Sequence, residues 1–175
     1  AEVGKLIIEE AEVDVVELLE QCCRLLREHA AENRLRLSMK SEGAHPVMML
    51  DPRLLKQVTI NLLGNAIKFT QASGSVEVDV HTDRDGVCTI RFTDTGIGIA
   101  EEDLEKVMEP FVQVEGAYAR KYGGTGLGLP LVKRIIELHQ GHVSIASTLG
   151  AGTSVTVVLP ASRFVRLDKS GSGVA

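Results

Sequence analysis

The chain has 175 residues, of which 44% are hydrophobic, and a formal net charge of −5. This length and apolar content suit one globular domain with its own core, and the acidic balance argues against a nucleic-acid surface, which needs a basic face. No apolar run approaches the roughly 20 residues that span a bilayer, and the opening residues do not resemble a signal peptide. The three cysteines are odd in number and lie in apolar patterns, which predicts buried free thiols in a reducing compartment and therefore a cytoplasmic domain.

The first half of the chain predicts two helices and three strands. Asp14 is placed to cap a helix, with Glu17 completing a capping box, and apolar residues recur at helical spacing through Ala30. Asp51-Pro52 begins a second helix, with cap and first-turn proline in the favourable order, that extends to about Phe69. The predicted strands of this half are Lys5–Glu10, Arg34–Met39 and Val47–Leu50.

The second half predicts four strands and two helices. In residues 75–82 and 87–94 apolar side chains alternate with polar ones, and the residues between them, which end in Gly86, form a hairpin turn. Beyond Pro160 the chain becomes polar and Gly/Ser-rich, which predicts disorder. The remaining elements are a short helix at Glu101–Met108, an irregular stretch to Gly126, a helix that Gly141 closes, and strands at Val143/Ile145 and Val155/Val157/Leu159 around a turn at Thr148–Gly152.

Strands with one apolar and one polar face imply a sheet with one wet side. Three long helices must then cover the other side. The prediction is an α/β two-layer sandwich with a mixed, mostly antiparallel sheet covered on one face by three helices. We place this domain at residues 14–160 and a disordered tail at residues 161–175.

One polar stripe of the second helix consists of Asn61, Asn65 and Lys68, at spacing i, i+4, i+7. An amide oxygen can ligate a hard cation and an ammonium can meet phosphate charge, so the stripe suits Mg²⁺ and phosphate. A solvated helix face is the alternative interpretation. Gly64 destabilises this helix by about 1 kcal/mol relative to alanine. Either close packing of a neighbouring element or the close approach of a bound nucleotide would explain a glycine at this position.

A second cluster, Asp94-Thr-Gly96-Ile-Gly98-Ile99, follows a predicted strand. Alternation places Asp94 on the apolar face, where a carboxylate is costly unless it finds donors. The exocyclic amine of adenine is such a donor, whereas guanine presents an acceptor oxygen there. The alternative is an aspartate that caps the turn at Thr95–Gly98.

Two further clusters lie in the long connection that follows. Phe111 and the basic pair Arg120 and Lys121 suit a lid that clamps a triphosphate, although Phe111 could also anchor the loop in the core. The glycine-dense run Lys121–Leu129 precedes a helix whose first turn contains Pro130, and a helix N-terminus presents unpaired N–H groups to an anion. The run lacks the Gly-Lys-Ser/Thr ending of a P-loop and the last glycine of a dinucleotide fingerprint.

The four clusters, in this order, resemble the N, G1, F and G2 boxes of the catalytic ATP-binding domain of bacterial two-component sensor histidine kinases. That family belongs to the gyrase/Hsp90/histidine-kinase/MutL superfamily, and the resemblance covers about Ala11–Pro160. It implies a Bergerat-type ATP-binding fold that binds ATP and Mg²⁺ and transfers the γ-phosphoryl group to a histidine.

The resemblance also implies roles for individual residues. Asn65 would ligate Mg²⁺, Lys68 would contact the phosphates and Phe69 would flank the base or ribose. Asp94 would bind the adenine amine. The catalytic residues implied are Asn61, Lys68 and Arg120. The full set of implied ATP contacts is Asn61, Asn65, Lys68, Phe69, Asp94, Gly96, Gly98, Ile99, Phe111, Arg120, Lys121, Tyr122, Gly123, Gly124, Thr125, Gly126, Leu127, Gly128 and Leu129.

One departure from the superfamily is informative. Its ATP-hydrolysing members place a water-activating Glu four residues before the metal Asn, and here that position is Asn61. An amide cannot serve as a general base. The site therefore suits transfer to an already nucleophilic histidine, because phosphoryl transfer needs mainly alignment and charge neutralisation.

The phosphoacceptor of the family lies on a dimeric helical hairpin, and none of the five histidines has such a setting. We expect surface or core roles for His29, His45, His81, His139 and His142. The expected partners are that hairpin, for which residues 1–13 would be the linker, and a response regulator receiver domain. The fragment itself is expected to be monomeric, and any membrane spans of the parent protein would lie upstream.

Two other functions remain open from the sequence. The first is a regulatory nucleotide-binding module with little phosphotransfer. The second is an ATPase clamp of the gyrase or Hsp90 type, which the absence of Glu at position 61 disfavours. A serine-directed relative of these kinases fits less well than a bacterial sensor.

Overall fold

A computed structural model describes residues 6–112 and 128–168 of the chain. The described part contains three α-helices, which are α1 (Val15–Glu32), α2 (Pro52–Phe69) and α3 (Gly128–Leu138). Short 3₁₀ turns cover Glu101–Asp103, Lys106–Met108 and Ala161–Arg163. The strands are β1 (Ala11–Asp14), β2 (Arg36–Ser41), β3 (His45–Leu50), β4 (Ser75–Thr82), β5 (Cys88–Asp94), β6 (His142–Thr148), β7 (Gly152–Leu159) and β8 (Phe164–Asp168).

The main sheet has five strands in the order β2-β4-β5-β7-β6. The β2–β4 pair is parallel and the other pairs are antiparallel, so the sheet is mixed and mostly antiparallel, as the sequence predicted. A smaller antiparallel sheet, β1-β3-β8, was not predicted.

The core lies between the main sheet and the helices. Alternation buries one face of β4 and β5, and the apolar stripe of α2 packs into the same cluster. All three cysteines are buried and free, as predicted for the thiols themselves. The buried residues contributed by β4, β5 and the α2 stripe are Val76, Val78, Val80, Cys88, Ile90, Phe92, Leu55, Val58, Leu62 and Ala66.

Both ends of the domain differ from the prediction. Residues 6–10 form no strand, and the first strand is Ala11–Asp14, so the predicted linker at 1–13 overlaps the fold. Ala161–Asp168 are not a disordered tail, because β8 pairs with β3 and Arg163 is anchored. The Arg163 guanidinium donates to the carbonyls of His139 at 2.6 Å and Met49 at 2.8 Å, and to the Glu10 carboxylate at 2.7 Å.

Smaller differences concern helix ends. The predicted helix at Glu101–Met108 is two 3₁₀ turns. Gln140, at φ 61°, takes the left-handed position after α3, and the Gly141 N–H donates to the Ile136 carbonyl at 2.9 Å. This is the Schellman arrangement, in which Gln140, and not the predicted closing residue Gly141, has the left-handed conformation. Within the described residues, no helix is both long enough and apolar enough to cross a bilayer.

Asp51 caps α2 from a fully buried position. Its carboxylate accepts N–H bonds from Glu9, Arg53 and Leu54 and a guanidinium bond from Arg53. Its own N–H donates to Nε2 of the buried His139 at 3.0 Å, so His139 is a core histidine, as predicted. Burial alone raises the pKa of the Asp51 carboxyl, but the Arg53 bond and the three backbone bonds together lower it to about 2.

The turn after β5 packs tightly on the β6–β7 hairpin. Gly98 has φ +70°, and a Cβ there would collide with the carbonyl of Thr148. The Gly150 N–H donates to the Ile97 carbonyl at 2.6 Å. The main sheet therefore fixes the position of the turn that follows Asp94.

We predict that Asp51→Ala lowers the free energy of unfolding by about 3 kcal/mol at neutral pH, because the cap is lost and buried donors lose their acceptor. Asp14→Ala removes the more exposed cap of α1 and should cost about 1 kcal/mol. Because the Asp51 pKa is lowered on folding, its contribution is complete above about pH 4 and is lost as the pH falls toward 2. Urea unfolding across this pH range measures both effects, and equal losses for the two variants would contradict the assignment.

We also predict that Gly98→Ala lowers the free energy of unfolding by about 3 kcal/mol. The strain of an alanine in a left-handed conformation and the collision of its Cβ with the Thr148 carbonyl both contribute. Gly43→Ala is the matched control, because Gly43 has φ +79° and, its chain neighbours aside, no described atom lies within 4 Å of where a Cβ would stand. The control should cost about 1 kcal/mol. If urea unfolding gave similar losses of stability for Gly98→Ala and Gly43→Ala, the close contact between the turn and the hairpin would contribute nothing to the destabilisation.

Candidate functional site

The polar stripe of α2 lies at the border between core and solvent. Asn61, Asn65 and Lys68 are each partly buried, and they flank the buried apolar stripe of the same helix. The Lys68 ammonium lies 5.1 Å from the centroid of the Phe69 ring. The stripe is thus neither core nor fully solvated.

The N-terminus of α3 approaches this stripe. A Cβ placed on Gly128 would lie 3.5 Å from Nδ2 of Asn65, an ordinary contact distance. The first turn of α3 therefore lies beside the Asn65 amide. Outside its own helix, Gly64 has no described atom within 4 Å of where a Cβ would stand, so packing against the described residues does not explain that glycine.

Asp94 ends β5 and is held by backbone donors. Its Oδ1 accepts the N–H of Gly96 at 2.8 Å and the N–H of Thr153 at 3.3 Å. Burial raises the pKa of the Asp94 carboxyl, and the two N–H bonds oppose that rise. Both bonds fall on one oxygen. Asp94 thus does begin a capped turn, as the alternative interpretation held, and it also keeps a second carboxylate oxygen.

The turn after Asp94 joins the C-terminal end of α2. The Ile97 N–H donates to the Phe69 carbonyl at 3.1 Å. A Cβ on Gly96 would collide with that same carbonyl, so this position requires glycine. The turn that begins at Asp94 therefore lies against the C-terminal end of the helix that carries the polar stripe.

The remaining predicted site residues lie either at the edges of this arrangement or outside the described part of the chain. The side chain of Phe111 is 77% exposed, so it is not a core anchor. Leu129 packs partly against the core, and the Ile99 N–H donates to Oγ of Ser147 at 2.8 Å. The predicted lid residues Arg120, Lys121, Tyr122, Gly123, Gly124, Thr125, Gly126 and Leu127 lie outside the described residues.

Sequence reasoning missed the contribution of β7. Thr153 lies opposite Asp94 in the β5–β7 register, and its N–H reaches the carboxylate. A Cβ on Gly152 would collide with the Asp94 carbonyl. The sequence Gly150-Ala-Gly152-Thr153 predicts only a turn, and its pairing with residue 94 has no local signature.

The arrangement combines two kinds of recognition. At one end a partly buried carboxylate offers an acceptor, and at the other an amide-rich helix face meets a helix N-terminus that favours anions. No group of three His, Cys, Asp or Glu side chains in residues 6–112 and 128–168 could hold a metal ion. The side-chain oxygen of Asn65 is a donor of the kind that a hard cation such as Mg²⁺ accepts.

Comparison with known proteins agrees with this geometry. Residues 50–163 match the family of histidine kinase-, DNA gyrase B- and HSP90-like ATPases. The chain is 42% identical over 146 residues to an uncharacterized sensor-like histidine kinase of Rhizobium meliloti, covering 83% of this chain and 28% of that protein. It is 43% identical over 147 residues to the histidine protein kinase DivJ of Caulobacter vibrioides, covering 84% and 24%. The chain thus spans about a quarter of the length of these relatives.

Solved structures show the same fold. Full-length ShkA in complex with AMPPNP superposes with a TM-score of 0.79 at 27% identity, over 98% of this chain and 34% of that one. The catalytic domain of the histidine kinase ThkA superposes with a TM-score of 0.76 at 25% identity, over 87% and 95%. The chain belongs to the histidine kinase-, DNA gyrase B- and HSP90-like ATPase family, and within it this chain is a histidine kinase catalytic domain.

Proposed function

We propose that the domain binds Mg-ATP between α2, the turn after β5 and the N-terminus of α3, and transfers the γ-phosphoryl group to a histidine on a separate dimerisation hairpin. Two contacts support this proposal: the turn after Asp94 bonds the last residue of α2, and the start of α3 lies beside Asn65. The AMPPNP bound to ShkA, a relative in fold, supports an ATP-like ligand.

The base would be recognised at Asp94. Oδ1 is already engaged by Gly96 and Thr153, so Oδ2 would accept the exocyclic amine of adenine. Guanine carries an oxygen at that position, and two acceptors would face each other across a partly buried site. This arrangement favours ATP over GTP.

The triphosphate would lie along α2 toward α3. Asn61 and Lys68 would contact phosphate oxygens, with Lys68 neutralising charge, and Asn65 would supply the protein ligand to Mg²⁺. When bound, Mg²⁺ offsets the negative charge of the phosphates. The lid residues, with Arg120 among them, would complete the enclosure.

The transfer step needs no base from this domain. A neutral imidazole nitrogen of the acceptor attacks the γ-phosphorus with its lone pair while the bond to the β-phosphate oxygen breaks, which yields phosphohistidine and ADP. Asn61 cannot deprotonate a water, so competing hydrolysis receives no general-base assistance from that position. The residues of this chain act by alignment and charge neutralisation.

Incubation of the purified chain with γ-labelled ATP, Mg²⁺ and a separate acceptor hairpin tests the proposal. We expect label on the hairpin histidine and, in a further step, on a receiver domain. Saturable ATP binding without any label would instead support the regulatory nucleotide-binding module.

In the same assay, Asn65→Ala should reduce Mg²⁺-dependent transfer by about 100-fold or more, because the metal loses its protein ligand. Gln57→Ala, an exposed amide on the same helix, is the matched control and should transfer normally. Full metal-dependent transfer by Asn65→Ala would remove this residue from its assigned role.

Asp94→Asn should weaken ATP binding by about 10- to 100-fold, since the amide places a donor against the adenine amine. The amide oxygen can still accept the two backbone N–H bonds, so the turn should persist. Asp79→Asn, on the wet face of β4, is the control. Titration calorimetry measures both, and an unchanged affinity for Asp94→Asn would refute the adenine assignment.

A further inference from the structure

The hydroxyl of Ser147 bonds two other segments of the chain, the end of the turn after β5 and the start of β7. Ser147, on β6, accepts the Ile99 N–H at 2.8 Å and donates to the Gly152 carbonyl at 2.9 Å. Its Oγ also lies 2.8 Å from Oγ1 of Thr153. A serine has one O–H and two lone pairs, so with its proton on Gly152 the Thr153 hydroxyl must be the donor. The hydrogen-bonding capacity of Ser147 is therefore fully used.

Both segments that Ser147 bonds are also linked to Asp94. Ile99 ends the turn that begins at Asp94, and Gly152 backs directly onto the Asp94 carbonyl. Thr153 donates its N–H to Asp94 Oδ1. The hydrogen bonds of Ser147 go to these neighbours and not to Asp94, so Ser147 acts on the carboxylate through them.

Ser147 connects the β6–β7 hairpin to the turn after β5 because of where β6 lies. β6 lies at one end of the main sheet, and its hairpin with β7 projects to the turn. The Gly150–Ile97 bond and the packing of Gly98 also tie the hairpin to the turn, but they hold the residues that precede Ile99. Ser147 is the side chain that bonds both the end of the turn and the start of β7.

We propose that Ser147 is a positioning residue for nucleotide-base recognition: it fixes the turn after β5 and the start of β7 relative to each other, and so sets the orientation of the Asp94 carboxylate. This inference rests on the proposed function, because it assumes that the carboxylate meets the adenine amine. The Ser147 side chain needs no contact with the nucleotide.

The test compares ATP with purine riboside triphosphate, which lacks the exocyclic amine. Ser147→Ala should raise the Kd for ATP about tenfold, which is about 1.4 kcal/mol, while the Kd for the analogue changes by less than about twofold. A merely structural role would weaken both nucleotides equally and leave their ratio unchanged. Ser147→Thr keeps the hydroxyl and should restore the ratio, whereas Ser147→Val, which has the shape of threonine without the hydroxyl, should not.

The matched control is Ser154→Ala, next to Thr153 on the wet face. It loses one hydrogen bond, to Oγ1 of Thr93 at 3.1 Å, and should bind both nucleotides as the unmodified chain does. An unchanged ratio of the two Kd values in Ser147→Ala would overturn the inference. If the unmodified chain binds neither nucleotide, the proposed function fails instead, so the two failures are distinguishable.

A measurement on the unmodified chain keeps the inference testable if the variants fail to fold. The Ile99 amide should exchange its hydrogen slowly in the nucleotide-free protein, because its N–H is bonded to Ser147. Exchange at the rate of an unprotected amide would overturn the inference without any substitution.

Discussion

The candidate site depends on the partial burial of one carboxylate, Asp94, at the edge of the core. Burial raises the pKa of that group, and the N–H bonds from Gly96 and Thr153 offset the cost. The Thr153 donor is available only because β5 and β7 pair with residues 94 and 153 opposite each other. A one-residue slip would turn the Asp94 side chain to the wet face. The register of the sheet and the placement of the Asp94 carboxylate are therefore one constraint.

Helix α2 connects this carboxylate to the rest of the site. Its apolar stripe packs in the core, its polar stripe lies along the border, and its last carbonyl accepts the Ile97 N–H. At its other end the buried Asp51 cap joins the helix to His139 after α3 and to the segment before β1. The same helix thus carries much of the fold and most of the described candidate phosphate contacts.

Local patterns in the sequence predicted much of this. The cap and proline at Asp51-Pro52, the alternation in β4 and β5, and the placement of Asp94 on the apolar face are all short-range signals, and the structure confirms them. The small β1-β3-β8 sheet was not predictable in this way. Its outer strands, β1 and β8, are about 150 residues apart in the sequence, and Phe164–Asp168 forms a strand because it pairs with β3.

The support behind the site was missed for the same reason. Thr153 and Ser147 act on residues about fifty to sixty positions away, and neither has a local motif that reveals the pairing. Physical reasoning on residue types predicted a role for Asp94, but only the strand register shows how Asp94 is held. The roles assigned to individual nucleotide contacts remain predictions.

Titration calorimetry of the unmodified chain with ATP and then GTP, both in the presence of Mg²⁺, measures base recognition at Asp94 without any substitution. We expect saturable binding of ATP and at least about tenfold weaker binding of GTP, since Asp94 accepts from adenine and repels the guanine oxygen. Absence of saturable heat with ATP, or equal affinity for the two nucleotides, would show that Asp94 does not recognise the base.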